Sequence, residues 1–204
     1  MSKIKLTPLK DGPLLLVNAE FIFGKNGEKI EAKEKSFLCR CGASSNKPFC
    51  DGTHNKTGYS SDREQTRSND YYKTYEGKEI IINDNRTICS HAAVCVSKLA
   101  EVFDVENRPW INADGATAEK IKEVIKKCPS GALTFVEKDK VVTEWSENET
   151  VSFEKNGPYL FQGGIEIEND PQPPVNDHYV ICRCGKSKNK PYCDGNHHNY
   201  KFDS

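Results

Sequence analysis

The chain has 204 residues, and 29 Lys and Arg against 30 Asp and Glu leave a net charge of −1. This balance gives no indication of a nucleic-acid partner, and no run approaches the ~20 apolar residues of a membrane span. Hydrophobic residues make up only 36% of the chain. That share favours several small modules, each stabilised by something besides burial, over one large apolar core.

The N-terminus and the cysteine content indicate the compartment. The stretch MSKIKLTPLKDG lacks the apolar segment of a secretory signal peptide, so we expect a cytoplasmic protein. Nine cysteines are many for a reducing compartment, where disulfides are rare, and metal ligation is the better interpretation. The cysteines form three groups: Cys39, Cys41 and Cys50; Cys89, Cys95 and Cys128; Cys182, Cys184 and Cys193.

The first module begins with GPLLLVNAEFIF, which predicts a turn followed by β-strands, and a short apolar strand is predicted at 36–38. CRCGASSNKPFCDGTH follows, ending at His54. On the first turn of a helix, Cys50 and His54 would share one face. Cys39 and Cys41 flank one residue, and we expect the backbone to bend there so that their side chains converge, which Gly42 makes easier. Three cysteines and one histidine suit structural zinc or an iron–sulfur cluster.

The middle of the chain has the pattern of an α+β module. We predict a strand at 78–83, a helix at 92–103 and an amphipathic helix at 117–128, which Thr117 would cap. Strands are predicted in ALTF and KVVTEW. Trp110 and Trp145 are interpreted as packing residues.

Cysteine spacing in this middle module is close to that of a ferredoxin. TICSHAAVC and KKCPSGAL match the C-x₂-C-x₂-C and distant Cys-Pro pattern, except that the second position is Ala92. Cys89, Cys95 and Cys128 alone would suit a 3Fe–4S cluster. His91 or a ligand from outside could complete a 4Fe–4S cluster. A ferredoxin fold without a cluster, or with zinc, is the alternative.

A second copy of the first pattern closes the chain. GPYLFQGGIEIE and a short strand at 179–181 precede CRCGKSKNKPYCDGNH, which runs from Cys182 to His197. The repeat spans about 10–60 and 153–204, and its identical spacing argues against unligated buried cysteines. His178 is interpreted as a surface residue.

Both sixteen-residue stretches resemble the CDGSH iron–sulfur domain at CRCG, NKPFCDG and NKPYCDG. The family serine is replaced by Thr53 in one copy and Asn196 in the other, and neither position is a ligand. The resemblance implies one 2Fe–2S cluster per copy, held by three cysteines and one histidine. The implied ligand pairs are Cys39 with Cys41, Cys50 with His54, Cys182 with Cys184, and Cys193 with His197.

Two further expectations follow from resemblance. Single CDGSH domains usually pair as intertwined homodimers, so two copies in one chain would form that pair internally, with pseudo-two-fold symmetry, in a monomer. The segment 75–136 resembles the divergent single-cluster ferredoxins at VFD, RPWI, DGA and CPSGAL. That resemblance implies a ferredoxin-like α+β fold holding one 4Fe–4S cluster.

The sequence therefore predicts an α+β, multi-module protein. Two small β-rich CDGSH-type domains, 1–60 (the first outer module) and 145–204 (the second outer module), flank a ferredoxin-like domain at 73–144 (the middle module), with a linker at 61–72.

Electron transfer is the predicted function, and the partner would be a redox protein, not a nucleic acid or a membrane. No nucleotide loop, nucleophile elbow or catalytic dyad is present, so we do not expect an enzyme. The alternatives are a cluster carrier that donates 2Fe–2S to apo-proteins and a zinc-stapled interaction module.

Overall fold

The structure is a computed structural model that describes residues 3–24, 26–64, 72–170 and 172–203. Most of the predicted linker at 61–72 therefore lies outside the described residues. Within the described part of the chain, no helix has both the length and the apolar character needed to cross a membrane.

The first outer module consists of short strands followed by one helical turn. Alternation of buried and exposed residues along Lys35–Leu38 places Ser36 and Leu38 on the inner face, as expected for a strand with one solvated side. The elements are β1 (Lys5–Pro8), β2 (Leu14–Val17), β3 (Phe21–Phe23), β4 (Lys29–Glu31), β5 (Lys35–Leu38) and α1 (His54–Thr57).

The middle module is a four-stranded antiparallel sheet in which strands that follow each other in the chain pair, covered by the longer of its two α-helices. This module has its own hydrophobic core, in which Ile121, Val124 and Ile125 on the buried face of that helix pack with Phe135 of the sheet. The elements are β6 (Tyr72–Glu76), β7 (Ile81–Asn85), a 3₁₀ helix (Arg86–Ile88), α2 (Val94–Lys98), α3 (Ala118–Ile125), β8 (Leu133–Glu137) and β9 (Lys140–Val142).

The second outer module repeats the strand pattern of the first and ends in a 3₁₀ helix where the first has α1. The elements are β10 (Thr150–Phe153), β11 (Tyr159–Gln162), β12 (Glu166–Ile167), β13 (His178–Ile181) and a 3₁₀ helix (Asn196–Asn199).

The two outer modules exchange strands and share one core. One sheet has the order β12-β1-β2-β5 and the other β13-β11-β10-β3-β4, so each contains strands from both modules. The exchanged strands pair in parallel, Leu6 with Ile167 and Ser152 with Phe23. Leu14 of the first module and Phe161 of the second lie in the same buried cluster. Neither outer module completes its sheets or its core alone, so the two are stabilised together.

The coarse fold prediction is confirmed, with small, mostly β modules and few helices, whereas two helices are shorter than predicted. The helix predicted at 92–103 ends at Lys98, because Leu99 leaves the helical region and its apolar successors pack into the core. The helix predicted at 117–128 covers Ala118–Ile125 and closes with a tighter turn before Pro129, which cannot continue it. Thr117 occupies the N-cap position with extended backbone but makes no side-chain cap hydrogen bond.

His178 is buried, so its interpretation as a surface residue is wrong. Its ring is 2% exposed, lies 4.5 Å from the Trp145 ring and is bonded at Nδ1 to the Asp177 carboxylate, 3.0 Å away. Burial lowers the pKa of His178, and the Asp177 carboxylate partly offsets this effect. Trp145 and Trp110 both pack against the middle core, as predicted.

Candidate iron–sulfur sites

The first outer site comprises Cys39, Cys41, Cys50 and His54, and its side chains lie in two pairs. The thiols of Cys39 and Cys41 are 3.7 Å apart, and the Cys50 thiol is 3.3 Å from His54 Nδ1. Two thiolates bound at about 2.3 Å to one tetrahedral metal ion lie about 3.8 Å apart, and a thiolate and an imidazole nitrogen about 3.6 Å apart. Each pair therefore has the spacing of two ligands on one metal ion.

Local backbone geometry produces these pairs. The chain leaves β5 at Cys39, whose N–H donates to Pro48 O at 2.8 Å, and turns sharply at Gly42, where φ is +77°. That turn brings Cys41 back beside Cys39. His54 begins α1, and Cys50 lies in the turn before it, so the two face each other across the helix start.

The second outer site comprises Cys182, Cys184, Cys193 and His197, and it reproduces the first. Cys182 and Cys184 thiols are 3.8 Å apart, and the Cys193 thiol is 3.2 Å from His197 Nδ1. Gly185 has a φ of +76°, matching Gly42 in the first copy. The same ligand geometry thus occurs in both repeats.

The two outer sites meet at their C-x-C segments. Cys41 and Cys184 form an isolated antiparallel bridge. A Cβ added to Gly42 would lie 2.8 Å from the Cys184 carbonyl oxygen, and one added to Gly185 would lie 2.8 Å from that of Cys41. These contacts are reciprocal, and both positions require glycine.

Backbone N–H groups point at the sulfur atoms. Gly52 N–H donates to the Cys50 sulfur at 3.4 Å, and Gly195 N–H donates to the Cys193 sulfur at 3.5 Å. Such bonds stabilise thiolates and tune the reduction potential of the group that the thiolates hold. Among the described residues, no three His, Cys, Asp or Glu side chains converge on a single ion position. The outer ligands come in pairs, and this donor arrangement fits a 2Fe–2S cluster.

Solvent exposure differs between the two outer sites. Cys50 and His54 are half-buried, whereas Cys193 and His197 are buried. Burial, with a smaller effect of the neighbouring His198, lowers the pKa of His197 to about 4. Burial also raises the pKa of Cys193, and the nearby charges of Cys182, Asp194 and Cys89 add to that rise.

The middle site comprises Cys89, Cys95 and Cys128, which line one small cavity. Cys89 follows the 3₁₀ helix, Cys95 belongs to α2 and Cys128 follows α3. Ala92 also lines the cavity. The ferredoxin pattern has its second cysteine at this position, so the residue here faces the site but supplies no donor atom. Three thiols around one cavity fit an iron–sulfur cluster that lacks one cysteine ligand.

His91, proposed above as a fourth ligand, is not among the described residues that line this cavity. Its backbone has a φ of +54°. The ring lies against the second outer module, where a Cβ added to Gly195 would be 2.9 Å from His91 Cδ2. The structure therefore places this side chain at the boundary between two sites.

Two side chains beside the middle site, Arg86 and Asp84, were not singled out in the sequence. Arg86 lies 3.5 Å from the Cys89 sulfur, and its guanidinium stacks 3.9 Å from the centre of the Trp110 ring. The Asp84 carboxylate accepts from Arg86 at 3.0 Å and from Trp110 Nε1 at 3.2 Å. Burial raises the pKa of Asp84. Asp84 and Trp110 thus hold the positive charge of Arg86 next to the Cys89 thiol.

Tyr159 is a further residue that sequence analysis missed. It lies on β11 of the second outer module, and its buried hydroxyl reaches the Cys39 and Pro48 carbonyl oxygens at 2.8 and 2.9 Å. The first outer site is therefore held in part by the second module. The equivalent residue in the first copy of the repeat is Leu14, so internal comparison gave no signal for this role.

Comparison with known proteins agrees with this division of the chain. The family described as iron-binding zinc finger CDGSH type matches residues 11–55 and 156–198, and the divergent 4Fe–4S mono-cluster family matches 75–138. Uncharacterized protein YjdI of Escherichia coli K12 is 36% identical over 64 residues, which is 31% of this chain and 84% of that protein. The Escherichia coli O157:H7 protein of the same description matches equally.

No solved structure matches the chain. The ligand geometry and the matched segments together assign the family: the chain belongs to the iron–sulfur proteins in which two CDGSH-type segments flank a divergent 4Fe–4S mono-cluster segment.

Proposed function

We propose that this protein is an electron carrier with three iron–sulfur clusters. The observation that carries the proposal is the pairing of ligands in both outer sites, Cys39 with Cys41 at 3.7 Å and Cys182 with Cys184 at 3.8 Å, each beside a Cys–His pair. Each outer site would hold a 2Fe–2S cluster. When bound, such clusters supply reversible one-electron chemistry at potentials that the protein sets.

The middle site would hold a 3Fe–4S or a 4Fe–4S cluster. Three thiols and the donor-free Ala92 around one cavity support the 3Fe–4S form. A 4Fe–4S cluster would need a fourth ligand, either from His91 after a rearrangement or from outside the chain. Arg86 beside Cys89 would stabilise negative charge at this site and raise its potential.

The outer modules would form an internal pseudo-two-fold pair, which makes a monomer the expected state. Strand exchange in both directions and the reciprocal contacts of Gly42 and Gly185 support this arrangement. Its role would be to bury the C-x-C segments where they meet. Fixed N–H donors and a dry environment reduce the reorganisation that accompanies a change of charge.

The protein would exchange electrons with a redox partner protein and would not transform a substrate itself. To test this, dithionite-reduced protein is mixed with an oxidised one-electron acceptor such as cytochrome c, and iron is measured before and after. We expect repeated reduction and reoxidation with no loss of iron. Iron release during each cycle would contradict an electron carrier.

A cluster carrier is the second candidate, because Cys50 and His54 of the first outer site are half-buried and reachable from solvent. Such a carrier would pass 2Fe–2S intact to an apo-ferredoxin. In that case His54→Cys should slow the passage severalfold, while the matched change at the buried His197 should have a smaller effect. Unchanged transfer rates with shifted potentials would leave electron transfer standing. A zinc-stapled interaction module would instead contain zinc without sulfide.

A further inference from the structure

The middle module contacts the second outer site through one seam. This seam consists of the middle-site loop, 86–95, packed on the ligand loop of the second outer site, 187–198. Gly195 lies between the ligands Cys193 and His197. A Cβ added there would be 2.9 Å from His91 Cδ2 and 3.0 Å from the Ser90 carbonyl oxygen. The two loops are therefore in van der Waals contact.

Hydrogen bonds fix the seam on both sides of this contact. His198 Nε2 lies 3.1 Å from the His91 carbonyl oxygen, and Asn189 Nδ2 donates to the Thr87 carbonyl oxygen at 3.0 Å. Asn189 is 3% exposed. His198 follows the ligand His197 directly, so one bond of the seam begins beside a ligand.

Among the described residues, none covers the first outer site at the equivalent position. Gly52 corresponds to Gly195 and has nearly the same φ, +84° against +86°. No described atom lies within 4 Å of a Cβ added at Gly52. The first site instead meets the second through the bridge between Cys41 and Cys184. Contacts thus run in a line from the middle site to the second outer site and then to the first.

We propose that the three sites form a linear electron path, in which the second outer site is the internal relay and the first outer site is the exit to solvent. This inference rests on the proposed function. Along the path, one electron given up at the middle site is gained at the second outer site, and no bond is formed or broken. Because electron tunnelling falls steeply with distance, the seam at His91 and Gly195 would set the rate of this step.

The wild-type holoprotein provides the first test, by EPR power saturation with the middle cluster in its paramagnetic state. Dipolar relaxation depends on the inverse sixth power of distance. We expect one of the two 2Fe–2S signals to relax severalfold faster than the other. Cys39→Ser with Cys41→Ser removes the first outer site, and the 2Fe–2S signal that remains should be the fast-relaxing one, which we assign to the second outer site. Two signals that saturate alike would overturn the linear path.

Matched glycine variants test the seam itself. Gly195→Ala must push His91 and Ser90 away, so the relaxation of the faster 2Fe–2S signal should become severalfold slower. Gly52→Ala introduces the same backbone strain without a contact, and it should leave the relaxation rate of that faster signal unchanged. His91→Gly added to Gly195→Ala removes the nearest side-chain atoms, tolerates the positive φ at His91, and should restore part of the relaxation.

Equal effects of Gly52→Ala and Gly195→Ala would refute the seam. If Gly195→Ala loses iron, the wild-type saturation still decides the question. Iron and sulfide analysis distinguishes failure of the proposed function from failure of the electron path. A protein without clusters refutes the proposed function. A protein with all clusters whose two 2Fe–2S signals relax at the same rate refutes only the path.

Discussion

Single residues distinguish the two outer sites, although their ligands are the same. A protonated imidazole cannot bind iron, so acid competes for each histidine ligand. The half-buried His54 is open to water, whereas burial holds the pKa of His197 at about 4, well below the ordinary histidine value of about 6.5. The His197 ring therefore stays neutral further into the acid range than an ordinary histidine side chain.

As the pH falls from about 7, we expect the first outer site to lose its visible absorbance at a higher pH than the second, because water reaches the half-buried first site more readily than the buried second site. His54→Cys should abolish the early loss, and the matched change His197→Cys should leave it. Absorbance against pH for the three proteins measures this. Simultaneous loss from both sites in the wild type would contradict the role of burial.

Arg86 is predicted to raise the potential of the middle site. Its guanidinium lies 3.5 Å from the Cys89 sulfur and is held by Asp84 at 3.0 Å and by stacking on Trp110. Because Arg86 is partly exposed, its interaction is worth roughly 0.5–1 kcal/mol, equivalent to about 20–40 mV for one electron.

Arg86→Met should therefore lower the middle potential by about that amount in an EPR-monitored redox titration. Lys127→Met on the same module provides a control for loss of a general positive charge. An equal shift in both variants would indicate that the Arg86 contact has no specific role.

Elements show which parts of this fold the sequence can predict. The buried face of α3 and strands such as β5 follow from local periodicity, and they were predicted correctly. α2 was predicted too long because Leu99, Val102 and Phe103 continue an apolar pattern that serves tertiary packing after the helix has ended.

The closeness of Cys50 to His54 was expected from their spacing, and the other pairs were implied by the resemblance, whereas the residues that support these sites were not predictable. Tyr159 reaches the first site from 120 residues away, and His91 turns toward Gly195 through a left-handed backbone conformation. Neither contact has a local pattern. The exchange of strands between the outer modules depends likewise on pairs such as Leu6 with Ile167.

The close approach of the two C-x-C segments leads to a prediction about stability. Ala at position 42 or 185 would place Cβ 2.8 Å from a carbonyl oxygen, in addition to the strain of a positive φ. Gly42→Ala and Gly185→Ala should each lower the free energy of unfolding by about 2–4 kcal/mol.

Gly164→Ala is the matched control, since Gly164 has a φ of +75° and no described atom within 4 Å of an added Cβ. It should cost about 1–2 kcal/mol from backbone strain alone. Denaturant unfolding of the three variants measures these differences. Equal losses in all three would mean that the close approach contributes nothing.

At the scale of the whole molecule, the outer modules depend on each other. β12 completes the sheet of β1, and β3 joins the sheet of β10, over a common core. A fragment covering 1–64 should therefore not hold a cluster as a monomer, whereas co-expression with 145–204 should restore binding. Size-exclusion chromatography with iron analysis tests this expectation. A monomeric, iron-loaded fragment 1–64 would contradict the shared core.

The predictions on potentials, acid stability and electron transfer all depend on the proposal that one chain carries three iron–sulfur clusters. The most direct test is the iron and acid-labile sulfide content of anaerobically purified protein, with EPR before and after dithionite. We predict about 7 or 8 irons per chain with matching sulfide, and an EPR signal of the oxidised sample would distinguish a 3Fe–4S from a 4Fe–4S middle cluster. Bound zinc without sulfide would show that the three sites hold no iron–sulfur clusters.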